Sequence, residues 1–212
     1  MKVAVGVLTF NRLHLLQRTL ASLRENTALP FDLVLVDGGS RENAQRAYVV
    51  AQGGILATLP TVGESMNYIV DRCLALGPDV VVFSADDYEY RPGWLESLVE
   101  FWSDPHPRVA IATLNWEPLY RWNQVVGTWD DVLFRQSVPG SSWSFLARDW
   151  PLIGPVEART GGEDLAICRR LRSQGYELAA LDLSEHIGEA ESAWGNQSYR
   201  QARPLVPNED FF

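Results

Sequence analysis

Two adjacent carboxylates, Asp86 and Asp87, stand at the end of the apolar run VVVFSA and are followed by YEYRPGWL. A hydrophobic strand that delivers acids at its C-terminal end is how an open α/β sheet offers metal-binding and catalytic groups to the crevice beyond its edge. In an extended chain Ser84 and Asp86 share a face and Asp87 points away, so Asp86 is the first choice for a metal ligand and Asp87 the second. Carboxylates suit Mg²⁺ or Mn²⁺, and imidazole suits Mn²⁺. A second acidic pair, Glu163 and Asp164, follows Gly161 and Gly162 at an expected helix start. There the helix dipole and free amides keep a carboxylate ionised and able to take a proton from a hydroxyl. Acids also collect at helix starts merely to cap them, and this structural reading stands beside the chemical one for both pairs.

The elements that must position these groups follow from periodicity. Residues 2–9 form a β-branched run, after which Leu13, Leu16, Leu20 and Leu23 recur at helical spacing; the period switches from two to roughly 3.6 at Asn11. Residues 31–36 read as a second strand ending at Asp37, followed by Gly38, Gly39, Ser40 and a helix over 41–51. A short third strand over 54–59 precedes a helix with Met66, Ile69, Val70, Cys73 and Leu74 on one face, closed by Gly77 and Pro78. The fourth strand is expected at 79–83, and Trp94, Leu95, Leu98, Val99 and Trp102 form the stripe of the next helix. Residues 108–114 read as another strand. Residues 115–138 lack a clean period and suggest loops and short antiparallel strands. A strand over 142–147, a turn at 149–152, a helix over 163–173 and a last strand over 176–181 complete the pattern, with a tail after His186. Repeated β-α units predict an α/β fold with a mainly parallel, helix-flanked sheet and a small antiparallel portion.

The chain has 212 residues, 46% of them hydrophobic, enough for one core and one domain. Within that domain, residues 1–114 are expected to form one half, 115–195 the other, and 196–212 a tail. Eighteen basic against 27 acidic side chains give a net charge of -9, which disfavours a broad grip on nucleic acid or an anionic membrane. Cys73 and Cys168 sit among apolar neighbours at helical spacing and read as small core residues. No run approaches the roughly 20 apolar residues that span a bilayer, and the N-terminus lacks a signal-peptide pattern, so a cytoplasmic protein is expected.

The motifs VGVLTFNR, LVDGGS, VGESMNYIVDRC, VVVFSADDYEYRPGWLE and GGEDLAICRRLRSQGYEL, followed by His186, occur in that order. Together they resemble a family 2 glycosyltransferase of the GT-A (Rossmann-like) fold over nearly the whole chain. The resemblance implies transfer of a sugar from a nucleoside diphosphate sugar, such as a UDP- or GDP-sugar, to an acceptor hydroxyl, with Mn²⁺ or Mg²⁺ and an inverting outcome. It implies that Thr9, Phe10 and Asn11 line the nucleoside and that Asp37 bonds the base or ribose. Gly38 and Gly39 would let the backbone approach, and Gly63 and Asn67 would touch the donor. It further implies Asp86, Asp87 and His186 at the metal, Asp164 as base and Glu163 orienting the acceptor. Two positions depart from the family pattern. Ser84 replaces the first acid of its Asp-x-Asp, and Met66 stands where an arginine is common.

The acceptor classes compatible with the sequence are a glycan, a small molecule or a hydroxylated nucleobase of modified DNA. Trp143 and Trp122 are the tryptophans singled out for stacking on it. A noncatalytic nucleotide-sugar or glycan-binding module is an alternative that Ser84 favours. A nucleotidyltransferase is another, although Asn11-Arg12 makes a poor phosphate-gripping loop.

Overall fold

The computed structural model describes residues 1–115, 124–129 and 132–187. Its elements in chain order begin with β1 (Val3–Thr9), α1 (Leu13–Glu25), β2 (Asp32–Asp37), α2 (Asn43–Ala51), β3 (Ile55–Leu56), α3 (Val62–Leu74) and β4 (Val80–Ala85). These are followed by β5 (Tyr88–Tyr90), α4 (Trp94–Ser103), β6 (Val109–Asn115), β7 (Val125–Trp129) and β8 (Val132–Arg135). Last come β9 (Ser142–Leu146), a 3₁₀ turn, the single-turn α5 (Trp150–Ile153), α6 (Glu163–Ser173) and β10 (Glu177–His186).

One ten-stranded sheet runs in the order β3-β2-β1-β4-β9-β6-β10-β8-β7, with β5 paired to β10. The strands β3, β2, β1 and β4 are parallel, as are β6 and β10. β9 runs antiparallel between β4 and β6. This is the expected mainly parallel, helix-flanked sheet with an antiparallel portion. Because β1, β2, β4, β6 and β10 point the same way, Thr9, Asp37, Ala85, Asn115 and His186 all finish at one edge, and β9 starts there.

Alternation along the strands divides the core. Val3, Val5, Val7, Val80 and Val82 face α1 and α4 through Leu16, Leu20, Leu23, Trp94, Leu98 and Trp102. Ala4, Val81 and Phe83 face α3 and α6 through Met66, Ile69, Cys73, Ile167 and Leu171. Helix α3 starts on a capping box in which Thr61 Oγ1 accepts from Glu64 N and Glu64 Oε2 accepts from Thr61 N. Both cysteines are free and buried, as expected for core residues. Among the described residues no helix is long and apolar enough to cross a membrane.

Several boundaries depart from the expected ones. β4 continues through Ser84 to Ala85, because Ser84 pairs with Ser142 of β9 and extends the ladder. β10 runs on to His186 where its end was expected at 181, because Ser184, Glu185 and His186 pair with Tyr90, Glu89 and Tyr88. β3 shrinks to two residues held beside Val36 and Asp37. The span 149–152, expected as a turn, closes into the 3₁₀ turn and α5.

Candidate active site

The edge where the parallel strands end gathers most of the chemistry. β4 stops at Ala85, so the alternation that would have sent Asp87 away from Asp86 stops as well. Both carboxylates instead reach the same guanidinium: Arg12 Nη2 donates to Asp86 Oδ1, and Arg12 Nη1 donates to Asp87 Oδ2 at 2.6 Å. The two acids are buried, with 0% and 3% of their side chains exposed, and Arg12 is 15% exposed. Helix α4 begins at Trp94 behind Gly93, so neither acid caps it.

Asp86 is held from its other side as well. Gln45 Nε2 donates to Thr9 Oγ1 at 2.7 Å, and Thr9 Oγ1 donates to Asp86 Oδ2. Burial pushes the Asp86 carboxyl up to about 6, with Asp87 adding to the rise and Arg12 and Thr9 opposing it. For Asp87 burial acts in the same direction, but Arg12 and His186 outweigh it and hold the carboxyl below its ordinary value. His186 Nε2 lies 3.5 Å from Asp87 Oδ2, and the imidazole sits edge-on to Tyr88 at 5.4 Å. The strand pair β5-β10 sets this contact by placing Tyr88 opposite His186.

The loops after β1 and β2 are laced together beside this cluster. Asn11, the one non-glycine residue with positive φ among those described (53°), donates its N-H to Ser40 Oγ at 2.9 Å and accepts from Arg41 N through Oδ1 at 2.8 Å. Asparagine tolerates this left-handed conformation better than most residues. Asn11 therefore ties the two loops and does not cap α1, whose N-cap is Arg12. Asp37 Oδ1 accepts from Gly39 N at 2.8 Å and Ser40 N at 2.6 Å. Its Oδ2 is buried with no protein partner, which leaves one acceptor unmatched at the expected nucleoside position. Gly38 N donates to Thr9 O at 2.9 Å, and Phe10 is 8% exposed.

The second acidic pair connects to the first through two consecutive residues. Gly140 N donates to Asp164 Oδ2 at 3.0 Å, while Ser141 O accepts from Ala85 N at 2.7 Å. Ser141 Oγ also meets Tyr88 Oη at 2.7 Å. A Cβ on Gly140 would stand 2.9 Å from the Asp164 Cβ, so only glycine lets this loop lie against the carboxylate. Asp164 Oδ1 accepts from Leu165 N at 2.8 Å, and Glu163 Oε2 accepts from Gly161 N at 2.6 Å. Neither side chain serves as the N-cap, which is Gly162 in a left-handed conformation. Burial, reinforced by the Asp164 charge, pushes Glu163 up to about 7. Burial also raises Asp164, against the amides of Gly140 and Leu165.

Gly63, Asn67 and Trp143 are each packed within the fold. Gly63 and Asn67 are engaged by the chain itself: Gly63 N donates to Arg159 O at 3.0 Å, and Asn67 exchanges two 2.8 Å hydrogen bonds with the backbone of Val156. A Cβ on Gly63 would come within 1.8 Å of Glu157 O. Both residues thus fasten the segment 156–159 onto α3. Trp143 is 1% exposed in the core beside Phe83, so it presents no face to an acceptor. Trp122 lies outside the described residues. Met66, also 1% exposed, is a core residue of α3.

The sequence reading passed over Gln45, Gly140 and Ser141 and gave Arg12 no part at the acids. The polar Gln45 in the first turn of α2, 0% exposed, carries a weak signal of this kind, since a buried amide has to find partners.

Among the described residues, no group of three His, Cys, Asp or Glu side chains is assembled to hold a metal ion. The donor set nevertheless fits a cation. Asp86 and Asp87 already enclose one, the Arg12 guanidinium, Asp87 Oδ1 is buried without a partner, and His186 is adjacent. Few protein ligands are typical where substrate phosphates and water complete the coordination of a hard divalent ion.

A family model described as Glycosyl transferase family 2 matches residues 4–125. No curated protein matches the chain. Solved structures share its fold. GalNAc-T7 with UDP, GalNAc and Mn²⁺ aligns at 14% identity and TM-score 0.68 over 89% of this chain and 44% of its own. The mannosyltransferase PcManGT from Pyrobaculum calidifontis, in complex with GDP-Man and Mn²⁺, aligns at 16% identity and TM-score 0.65 over 94% and 59%. S. aureus TarS 1-349 in complex with UDP-GlcNAc aligns at 15% identity and TM-score 0.64 over 92% and 62%. The chain spans between 44% and 62% of the three aligned chains.

Proposed function

The chain belongs to glycosyl transferase family 2, and from that premise we propose that it transfers a sugar from a nucleoside diphosphate sugar to an acceptor hydroxyl, with inversion at the anomeric carbon. The observation that carries this reading is the junction at residues 140 and 141, whose backbone touches Asp164 on one side and the end of the Asp86 strand on the other. This link between Asp164 and the Asp86 strand supports reading the one as base and the other as part of a cation-binding pair. The similarly folded structures with UDP, GDP-Man or UDP-GlcNAc support a nucleotide-sugar donor.

In this mechanism Asp37 and the laced loops around Asn11 bind the nucleoside, with the unmatched Asp37 Oδ2 accepting from a base or ribose donor. Asp86, Asp87 and His186 would hold Mn²⁺ or Mg²⁺, which when bound supplies Lewis-acid stabilisation to the departing diphosphate. Asp164 removes the acceptor proton as the hydroxyl oxygen attacks the anomeric carbon and the bond to the diphosphate oxygen breaks. Glu163, raised toward neutrality beside it, orients the acceptor hydroxyl.

The test is a panel of nucleotide sugars incubated with the protein and Mn²⁺, with product or slow donor hydrolysis as readout. Turnover with at least one donor, abolished by chelation, supports the reading; absence of binding and turnover with every donor refutes it. Asp164→Asn separates catalysis from mere binding, because it should remove turnover and keep donor affinity. Equal activity in that variant would refute the base assignment.

A further inference from the structure

The Asp86–Asp87 pair already holds a cation, and it is a side chain. Arg12 gives one guanidinium nitrogen to each acid, at Asp86 Oδ1 and Asp87 Oδ2, in a site from which water is nearly excluded. They are two of the three carboxylate oxygens left to a divalent ion, because Asp86 Oδ2 is taken by Thr9 and Asp87 Oδ1 alone has no partner. A metal ion bridging the two acids through these oxygens would lie close beside the guanidinium, and like charges that close, with little water between them, repel.

We propose that Arg12 is a built-in competitor for the divalent cation. It occupies the acidic pair in the empty state and leaves when the metal binds. The exchange frees a planar guanidinium at the edge where the donor diphosphate is proposed to lie, and its fork matches phosphate oxygens. Metal-first loading then favours donor binding, since the cluster trades one cation for another and releases the first to the substrate. Ser84 sharpens the competition, because one fewer acid in the strand end leaves only two carboxylates for both cations. This inference rests on the proposed metal and donor reading of the site.

Equilibrium titration with Mn²⁺ alone, without nucleotide, on the wild-type chain, Arg12→Gln, Arg12→Lys and Asp86→Asn tests it. Arg12→Gln should bind Mn²⁺ at least tenfold more tightly than wild type. Arg12→Lys should fall between, because a single ammonium cannot bridge two carboxylates as a fork does. Asp86→Asn should lose binding. Wild type and Arg12→Gln binding Mn²⁺ equally would overturn the competition while leaving the metal site standing. No Mn²⁺ binding by any form, even with UDP or GDP added, would overturn the metal reading and the competition with it. If Arg12→Gln fails to fold by thermal melt, Arg12→Lys decides alone: affinity equal to wild type overturns the proposal.

Discussion

At the residue scale the carboxylates divide by environment. Glu163 and Asp164 are both pushed upward by burial, whereas Asp87 is held down by Arg12 and His186. For Glu163 the folded-state value of about 7 exceeds the ordinary 4.5. The native state therefore binds the proton more tightly than the unfolded chain, and the destabilisation is absent below the ordinary value and complete above the folded one. Glu163→Gln should thus stabilise the protein at pH 8 by roughly 3 kcal/mol at most, and by nothing at pH 4, as read by chemical denaturation. Asp164→Asn should lower kcat by about 10² to 10⁴ with donor affinity retained, the range for removal of a general base. Gly140→Ala addresses the same carboxylate from outside. Its Cβ would meet the Asp164 Cβ at 2.9 Å, so kcat should drop with little change in donor binding, measured by steady-state kinetics.

At the scale of elements, the segment 156–159 is fixed to α3 by Gly63 and Asn67. Asn67→Ala removes both hydrogen bonds to Val156 and should cost about 1–3 kcal/mol, measured by urea denaturation, because two backbone groups lose their partners in a partly buried site. Helices with a single apolar stripe, such as α1, α3 and α4, were legible in the sequence because their periodicity is local. β5 and the extension of β10 were not, since Tyr88 and His186 form strand only through each other. The same reason separates the legible from the illegible parts of the site. Acids after an apolar strand or after paired glycines announce themselves. The roles of Arg12 and Gly140 depend on partners 75 and 24 residues away, which no local pattern encodes. Asn67 is similar, because its two bonds to Val156 join residues 89 apart, which a motif position does not reveal.

At the scale of the whole molecule, the net charge of -9 and the core on both faces of one sheet describe a body in which any affinity for the proposed anionic donor has to come from local cations. Saturation of the site should register globally. A nucleoside diphosphate with Mn²⁺ at about one hundred times its Kd stabilises the native state by roughly 2.7 kcal/mol, which for a chain of this size raises Tm by several degrees. Differential scanning fluorimetry should show that shift with UDP or GDP, and EDTA should erase it; no shift with either nucleotide would contradict the proposed donor site.

The strand β9 has a consequence for motion. It comes from the second half of the polypeptide yet lies wedged between β4 and β6 of the first, hydrogen-bonded to both. Among the described residues, parting the stretches before and after residue 115 like a pair of jaws would therefore tear two ladders.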